Sequence, residues 1–283
     1  MDRLEMNQRR GEQMPAIEIL DQIPLPLEGK GEDRFVLEPG RCVAVLDGVT
    51  SHSEERVPFE GGLYTYGQFA AEVGKRALVS AADISCADDV FPYRVAEHLA
   101  AELAREIAAL RAAHACTFHE EPSFVCAAYF PARRMLLRIG DCSVLKDGIE
   151  VAAMPNRGLI VEERKMKLRE RLARMYQTDH PELSETDAKR MAQAATRPWQ
   201  WKHRNRDAGA SRYFGYGVVN GEHIPERLVE HAIVGPGEIV LSTDGVPRDA
   251  LRGTWSETER AIAQMDMALV KPDDVTYLRI RVG

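Results

Sequence analysis

Several features that this sequence lacks narrow its function. No apolar run approaches the roughly 20 residues that a membrane-spanning helix needs. The first ten residues are polar and contain no apolar core of an export signal, so we expect a cytoplasmic protein with no membrane partner. The five cysteines are odd in number and show no paired spacing, which favours a reducing compartment over a disulfide framework.

Three kinds of chemistry are also without their usual residues. No Cys-x5-Arg run is present, so a thiolate nucleophile in an anion-binding loop is not indicated. No cluster of His and Cys has zinc spacing, and the glycines within 213–221 match no nucleotide fingerprint. The 37 basic and 44 acidic residues give a formal charge of -7, which argues against nucleic acid as the partner.

What the chain does contain is a set of acids at the ends of apolar strands. The clearest is the run Cys42 to Leu46, five apolar residues that lead directly into Asp47 and Gly48. Four stretches share this placement of an acid at a strand end: Glu32-Asp33, Asp47-Gly48, Asp244-Gly245 and Asp273-Asp274. The first of them lies one hairpin upstream of Asp47, which would put Glu32 beside it.

A carboxylate at the edge of a core is costly unless a positive group meets it. Gly48 has no Cβ, so its backbone can turn sharply and offer a carbonyl oxygen beside Asp47. Aspartate and carbonyl oxygens are the ligands of hard cations. Each Asp-Gly pair can also be an ordinary turn leaving a strand. Three acids at strand ends, Asp47, Asp244 and Asp273, have no matching basic neighbours. Together they favour a shared cation site over coincidence.

The order of predicted elements indicates an α+β protein. Strands at the amino-terminal end are followed by helices over Tyr66–Ser80 and Pro92–Ala113, and then by strands joined through short hairpins. This order does not fit a regular βαβ alternation and favours an α+β sandwich. At 283 residues the chain can bury a large core, and we predict one domain spanning 1–283.

Residues 158–212 differ from the rest of the chain in being rich in Arg, Lys and Glu. They contain predicted helices over Glu162–Tyr176 and Ser184–Ala195, the second opened by a Ser184 cap. Tryptophans and basic residues follow, including Arg204 and Arg206. Two interpretations stay open: a basic aromatic segment that contacts a phosphorylated substrate, or a solvated helical pair packed down by its tryptophans.

Five motifs together resemble those of the PP2C (PPM) type metal-dependent protein phosphatases, in the same order and over nearly the whole chain. They are Glu32-Asp33, Val45-Leu46-Asp47-Gly48, Arg138-Ile139-Gly140-Asp141, Leu241-Ser242-Thr243-Asp244-Gly245 and Asp273-Asp274-Val275-Thr276. The resemblance implies an α-β-β-α sandwich of two antiparallel sheets flanked by helix pairs, with 158–212 as a flap-like insertion beside the active site.

The resemblance also implies a site for two divalent ions, Mg²⁺ or Mn²⁺, and a role for each acid. Asp47 would bridge the ions, the Gly48 carbonyl and Glu32 would complete one of them, and Asp244 and Asp273 would hold the other. Asp141 matches the acid that helps some members to hold a third, weaker ion. Asp33 and Asp274 would support or cap these ligands, since adjacent acids rarely both face one metal.

The chain departs from the family pattern in two places. Some members carry a phosphate-binding arginine where Glu28 stands here, and Lys30 is the nearby substitute. The loop after Gly48 also differs from the bacterial pattern but keeps His52. This histidine titrates near neutrality, so it is either a proton donor to the leaving group or a surface histidine.

The sequence therefore predicts a Mg²⁺- or Mn²⁺-dependent phosphatase acting on phosphoserine and phosphothreonine in proteins, with water rather than a phosphoenzyme as the route. Two alternatives stay open: a catalytically silent phosphatase-like module that binds a partner, and a phosphatase of small phosphate esters. No feature of the sequence predicts an oligomeric state.

Overall fold

Two five-stranded antiparallel sheets form the centre of the protein. The structure, a computed structural model, describes residues 15–25, 31–49, 55–114, 118, 121–155, 157–201, 203–206, 215–246, 248–253, 256–258, 260–261 and 274–283. The first sheet contains β2 (Arg34–Glu38), β3 (Cys42–Gly48), β6 (Phe124–Phe130), β7 (Met135–Ile139) and β10 (Val229–Ile233). These strands lie in the order β10-β7-β6-β3-β2.

The second sheet is built from the remaining long strands. It contains β1 (Ile17–Leu25), β8 (Ser143–Lys146), β9 (Ile149–Glu150), β11 (Gly237–Ser242) and β12 (Val275–Val282). Their order is β1-β12-β11-β8-β9, and every pairing is antiparallel. The predicted α+β fold with two antiparallel sheets is therefore confirmed.

Two helices cover the outer face of the first sheet. They are α1 (Tyr66–Ala81) and α2 (Phe91–His114), within one residue of the predicted ends. A capping box opens α1, because the Thr65 hydroxyl accepts from the Gln68 amide (3.1 Å) and the Gln68 side chain accepts from the Thr65 amide (2.9 Å). The box fixes where α1 begins, immediately beside the end of β3.

The apolar core between the two sheets encloses an ion pair. Arg138 on β7 and Glu230 on β10 are register partners whose side chains are bonded to each other, with only 2% and 7% of their surfaces exposed. The same guanidinium donates to the carbonyl of Cys142 (3.3 Å). A buried arginine needs this many acceptors, because any unpaired donor in the core is costly.

The outer face of the second sheet is covered in part by the short helix α5 (Arg248–Leu251). Its Leu251 packs with Val240, Val275 and Tyr277 of the sheet. The resemblance predicts helices over this face, and most of the chain between α5 and β12 lies outside the described residues. Among the described residues, no helix combines the length and apolar character needed to span a membrane.

Two helices, α3 (Arg157–Asp179) and α4 (Glu185–Trp201), occupy most of the insertion predicted over 158–212. Both helices run beyond the predicted ends, and α3 begins five residues earlier than expected. The predicted Ser184 cap is present, since the Ser184 hydroxyl accepts from the Asp187 amide (3.1 Å). The two helices pack together through buried contacts that include a hydrogen bond from Arg169 to the Thr196 hydroxyl (3.0 Å).

Asn205 attaches the end of the insertion to the sandwich. Its side chain donates to the Val218 carbonyl (2.7 Å) and the Asn220 side chain (2.9 Å), and accepts from the Val218 amide (2.9 Å). The segment that contains Tyr216 and Val219 makes isolated bridges and not a regular strand. Tyr216 pairs with Arg204 and Val219 with Phe124, so the segment has two different neighbours.

Two local features are not visible in the sequence pattern. The chain between β3 and α1 contains a short hairpin, β4 (Val57–Phe59) and β5 (Gly62–Tyr64), too brief for periodicity to reveal. Pro24 lies inside β1 opposite Thr276. Because β1 is an edge strand of its sheet, proline is tolerated there.

Candidate metal centre

Those of the acids identified in the sequence that the structure describes lie at one end of the sandwich. In the first sheet, Arg34 pairs with Leu46, so the start of β2 and the end of β3 are adjacent and bring Glu32 near Gly48. In the second sheet, β11 ends two residues before Asp244, and β12 begins directly after Asp274. The antiparallel register therefore delivers acids from four chain segments to the same edge.

Two hydrogen bonds join the acids of one sheet to those of the other. The backbone amide of Glu32 donates to the carboxylate of Asp274, which lies 242 residues further along the chain. The hydroxyl of Thr243 donates to Oδ2 of Asp33 over 2.7 Å. These bonds hold the two sheet ends together at the candidate site.

The Asp33 carboxyl is buried and lies close to other negatively charged side chains. Burial raises the pKa of the Asp33 carboxyl to about 8, although hydrogen bonds from Thr243 and Thr276 lower it. The negative charges of Asp274 and Asp244 raise the pKa of Asp33 further. Buried acids close to one another repel when they are ionised, which costs free energy. A bound cation would reduce that cost.

Gly48 and Gly67 allow the chain to close tightly around Glu32. A Cβ on Gly48 would lie 2.5 Å from the Gly67 carbonyl oxygen and 2.8 Å from the Glu32 carbonyl oxygen, both backbone atoms. A Cβ on Gly67 would lie 2.9 Å from the Glu32 carboxylate. The hydroxyl of Thr65 donates to that same carboxylate. The Glu32 side chain is therefore fixed against the first turn of α1.

Asp141 lies at the same end as Asp47. Burial raises the pKa of the Cys142 thiol well above its ordinary value, and the charges of Asp47 and Asp141 raise it further. Both acids are thus close enough to Cys142 to act on it. The thiol itself is buried and kept neutral, so it packs as a small apolar side chain.

Sequence reasoning did not identify Thr65, Gly67 or Thr243. Gly67 carried a signal, because a glycine in the first turn of a helix is unfavourable unless another group needs the space. Thr65 was visible only as a helix cap, and Thr243 only as part of a strand. Their contacts to Glu32 and Asp33 cross 33 and 210 residues of sequence.

The remaining predicted site residues either lie outside the described residues or belong to the basic segment that follows α4. Lys30, His52 and Asp273 lie outside the described residues. Arg204 is largely buried, with its guanidinium 3.5 Å from the Glu121 carboxylate and its Nε donating to the Tyr216 hydroxyl (3.3 Å). Arg206 is exposed, and its carbonyl accepts from Arg227.

Arg204 is nevertheless close to the candidate site along the backbone. Its partner Glu121 stands two residues before Ser123, whose carbonyl accepts from the Val49 amide (2.9 Å). Val49 directly follows the Asp47-Gly48 pair. The ion pair therefore connects the insertion to the chain segment beside the acids.

The donor chemistry fits Mg²⁺ or Mn²⁺. Carboxylates and backbone carbonyls converge, and hard oxygen ligands of this kind suit these ions better than zinc. Within the described ranges, no three His, Cys, Asp or Glu side chains are already arranged as a ligand group. Asp273, a predicted ligand, lies outside those ranges, so the described acids form part of the predicted ligand set.

The fold is that of the bacterial PP2C-type serine/threonine phosphatases. The catalytic domain of serine threonine protein phosphatase PstP, in complex with two manganese ions, superposes with a TM-score of 0.51 at 13% identity, over 95% of this chain and 98% of that one. At this identity the likeness establishes the fold.

Two further solved structures superpose less well. The Mycobacterium tuberculosis serine/threonine phosphatase PstP/Ppp gives a TM-score of 0.49 at 14% identity, over 95% of this chain and 99% of that one. Stp1 from Staphylococcus aureus gives 0.49 at 11% identity, over 96% of both chains. No protein-family model and no curated protein sequence matches this chain.

Proposed function

We propose that this protein is a Mg²⁺- or Mn²⁺-dependent phosphatase that hydrolyses phosphoserine and phosphothreonine in proteins. The observation that supports this proposal is the convergence of acids from both sheets at one edge, joined by the bonds from Glu32 to Asp274 and from Thr243 to Asp33. The PP2C-type fold, which the chain shares with serine/threonine phosphatases, also supports the proposal.

The proposed ligands divide between the two sheets. Asp47 would be shared by both ions, and the Gly48 carbonyl and Glu32, the latter partly through water, would help to hold the first. Asp244 and Asp273 would hold the second ion, and Asp141 would contribute to a third. When bound, such ions lower the pKa of water and neutralise charge that develops on a phosphoryl group.

The other residues at this edge support the ligands. Thr65 orients the carboxylate of Glu32, and Asp274 holds its backbone amide. Asp33 stays behind the ligands, because its carboxyl is buried and bonded to Thr243. His52 is proposed to protonate the leaving oxygen, and Lys30 to bind phosphate as a point charge.

The insertion at about 158–212 is proposed to contact the phosphorylated protein substrate through Arg204 and Arg206. Arg204 pairs with Glu121 at 3.5 Å, a distance longer than a close charge-assisted hydrogen bond. A phosphate carries more charge than one carboxylate and can compete for this guanidinium. Arg206 is exposed and needs no such exchange.

Hydrolysis of p-nitrophenyl phosphate and of a phosphothreonine peptide by the purified protein tests the proposal. We expect turnover of both in Mn²⁺ and none after chelation with EDTA, with activity restored by added Mn²⁺. An Asp147→Asn variant is the control, since Asp147 lies in the β8–β9 turn and binds Lys146 and the Glu238 amide. Absence of metal-dependent turnover in the unmodified protein would contradict the proposal.

The second candidate is a silent phosphatase-like module that binds a partner protein. It is favoured by Glu28, which stands where some family members carry a phosphate-binding arginine, and by the altered loop after Gly48. Calorimetric titration with Mn²⁺ separates the two, because a silent module need not bind two ions. A phosphatase of small esters would hydrolyse p-nitrophenyl phosphate and leave the peptide intact.

A further inference from the structure

Thr243 occupies the point where three segments of the candidate site meet. It is fully buried and stands between the end of β11 and Asp244. Its hydroxyl accepts a hydrogen bond from the Thr276 amide (2.9 Å) and donates one to Oδ2 of Asp33 (2.7 Å). Its own amide donates to the Thr276 carbonyl (3.0 Å).

The partners of the Thr243 hydroxyl determine which hydrogen bond it accepts and which it donates. The Thr276 amide can only donate, so the Thr243 oxygen must accept there. The hydroxyl proton then points to an acceptor, and Oδ2 of the Asp33 carboxyl at 2.7 Å is nearer than the Thr276 carbonyl at 3.5 Å. One carboxyl oxygen of Asp33 is therefore held in a fixed direction.

The consequence reaches the proposed ligands on both sides. Asp33 is covalently attached to Glu32, so fixing Asp33 fixes the loop that carries Glu32. Thr243 is attached to Asp244, and Thr276 is two residues from Asp274. The contact from Thr243 to Asp33 spans 210 residues of sequence and is one of two hydrogen bonds described above that link these loops.

We propose that Thr243 is a positioning residue for the metal site, and that its hydroxyl sets the spacing between the Glu32 loop and the Asp244 loop. This inference rests on the proposed function. A threonine that only packed the core would contribute to stability without altering metal affinity. A positioning threonine must alter the affinity, because groups that orient metal ligands typically account for about 10- to 100-fold in affinity.

The test is the Mn²⁺ affinity of Thr243→Val, which keeps the shape of the side chain and removes the hydroxyl. Affinity is measured by calorimetry and by the electron paramagnetic resonance of free Mn²⁺, with the melting temperature recorded alongside. We expect about a 10- to 100-fold loss of affinity. Thr243→Ser keeps the hydroxyl, and we expect its affinity to stay within about threefold of the unmodified protein.

Thr196→Val is the matched control. Thr196 is also fully buried, and its hydroxyl accepts from Arg169 (3.0 Å) and donates to the Gln193 carbonyl (2.9 Å). It lies between the helices of the insertion and not among the acids. We expect this variant to lower the melting temperature in the same way as Thr243→Val, with unchanged Mn²⁺ affinity.

Equal Mn²⁺ affinity of Thr243→Val and the unmodified protein would overturn the inference and leave the proposed function standing. Absence of Mn²⁺ binding by the unmodified protein would overturn both. If Thr243→Val does not fold, the comparison of Thr243→Ala with Thr243→Ser replaces it, because both lack the methyl group and only one keeps the hydroxyl. Equal affinity of that pair would also overturn the inference.

Discussion

The acid-bearing edge of the sandwich and the helical insertion differ in charge and in how they are held. Residues 157–206 contain 13 Lys or Arg and 7 Asp or Glu, a net charge of +6 in a chain whose total is -7. The rest of the chain therefore carries -13. Negative charge is gathered where cations are proposed to bind, and positive charge is gathered on the insertion.

The contacts of the two regions differ in range. The site is joined by hydrogen bonds that span 33, 210 and 242 residues, whereas the exposed ion pairs of α4 join residues three or four apart. A site held by contacts between residues far apart in the sequence is difficult to change by single substitutions. A surface held by local contacts can change its sequence without disturbing the sandwich, which agrees with the substrate contact proposed for this region.

Removal of one charge from the acid-bearing edge should have the largest effect. In Asp47→Asn the proposed bridging carboxylate is lost, and we expect the metal-dependent rate to fall by more than about 10⁴-fold, over about 5 kcal/mol. Steady-state hydrolysis of p-nitrophenyl phosphate at saturating Mn²⁺ measures this. Activity within tenfold of the unmodified protein would contradict the assigned role of Asp47.

A buried and an exposed ion pair should differ sharply in their contribution to stability. Arg138→Met leaves Glu230 in the core without its cation, and we expect a loss of about 3 to 5 kcal/mol in the free energy of unfolding. Lys189→Ala breaks the exposed pair with Glu185 and should leave the free energy of unfolding nearly unchanged, because solvent screens that pair. Urea denaturation of both variants provides the comparison, and similar losses would contradict it.

Close approach of backbones at Gly48 should be detectable by adding one methyl group. Gly48→Ala forces a Cβ to within 2.5 Å of the Gly67 carbonyl, and we expect overpacking to cost about 1 to 3 kcal/mol. Gly235→Ala is the control, because a Cβ there meets no atom within 4 Å. Equal unfolding midpoints for the two variants would show that α1 can move away from β3.

The smallest effect is expected on the insertion. Lys167 and Arg171 lie one turn apart on α3, are exposed, and make no ion pair among the described residues. We expect Lys167→Glu/Arg171→Glu to raise KM for an acidic phosphothreonine peptide by about 3- to 10-fold and to leave p-nitrophenyl phosphate hydrolysis unchanged.

Lys189→Glu/Arg190→Glu is the control for that variant. It changes the net charge equally, and its residues already pair with Glu185 and Asp187 on α4. An equal rise in KM for both double variants would mean that only the total charge of the protein matters. A rise that persists at high salt would exclude a screened electrostatic cause.

The sequence predicts the sheets and the two covering helices well because local periodicity determines them. The end of β3 at Asp47 and the start of α1 at Tyr66 follow from apolar runs and a cap. The acids were found for the same reason, since each is adjacent in sequence to a recognisable strand. Their meeting at one edge was suggested by the family resemblance more than by any local pattern.

The sequence does not predict contacts that depend on distant partners. Thr243 looks like any strand residue until β2 and β11 are brought together, and Gly67 gains its meaning from Glu32. The segment around Tyr216 is aromatic, a composition that favours strand, whereas its backbone pairs with two separate neighbours. Tertiary contacts override local propensity at such positions.

The attachment at Asn205 has a further consequence for how this protein can diversify. One amide side chain fastens the exit of the helical hairpin to Val218 and Asn220, and the entry lies next to Met154 in the inter-sheet core. With both ends anchored, the hairpin between them can be replaced without altering the strands of the sandwich. If the proposed function holds, exchange of the hairpin between these anchors would change the surface offered to substrates and leave the proposed metal site unchanged.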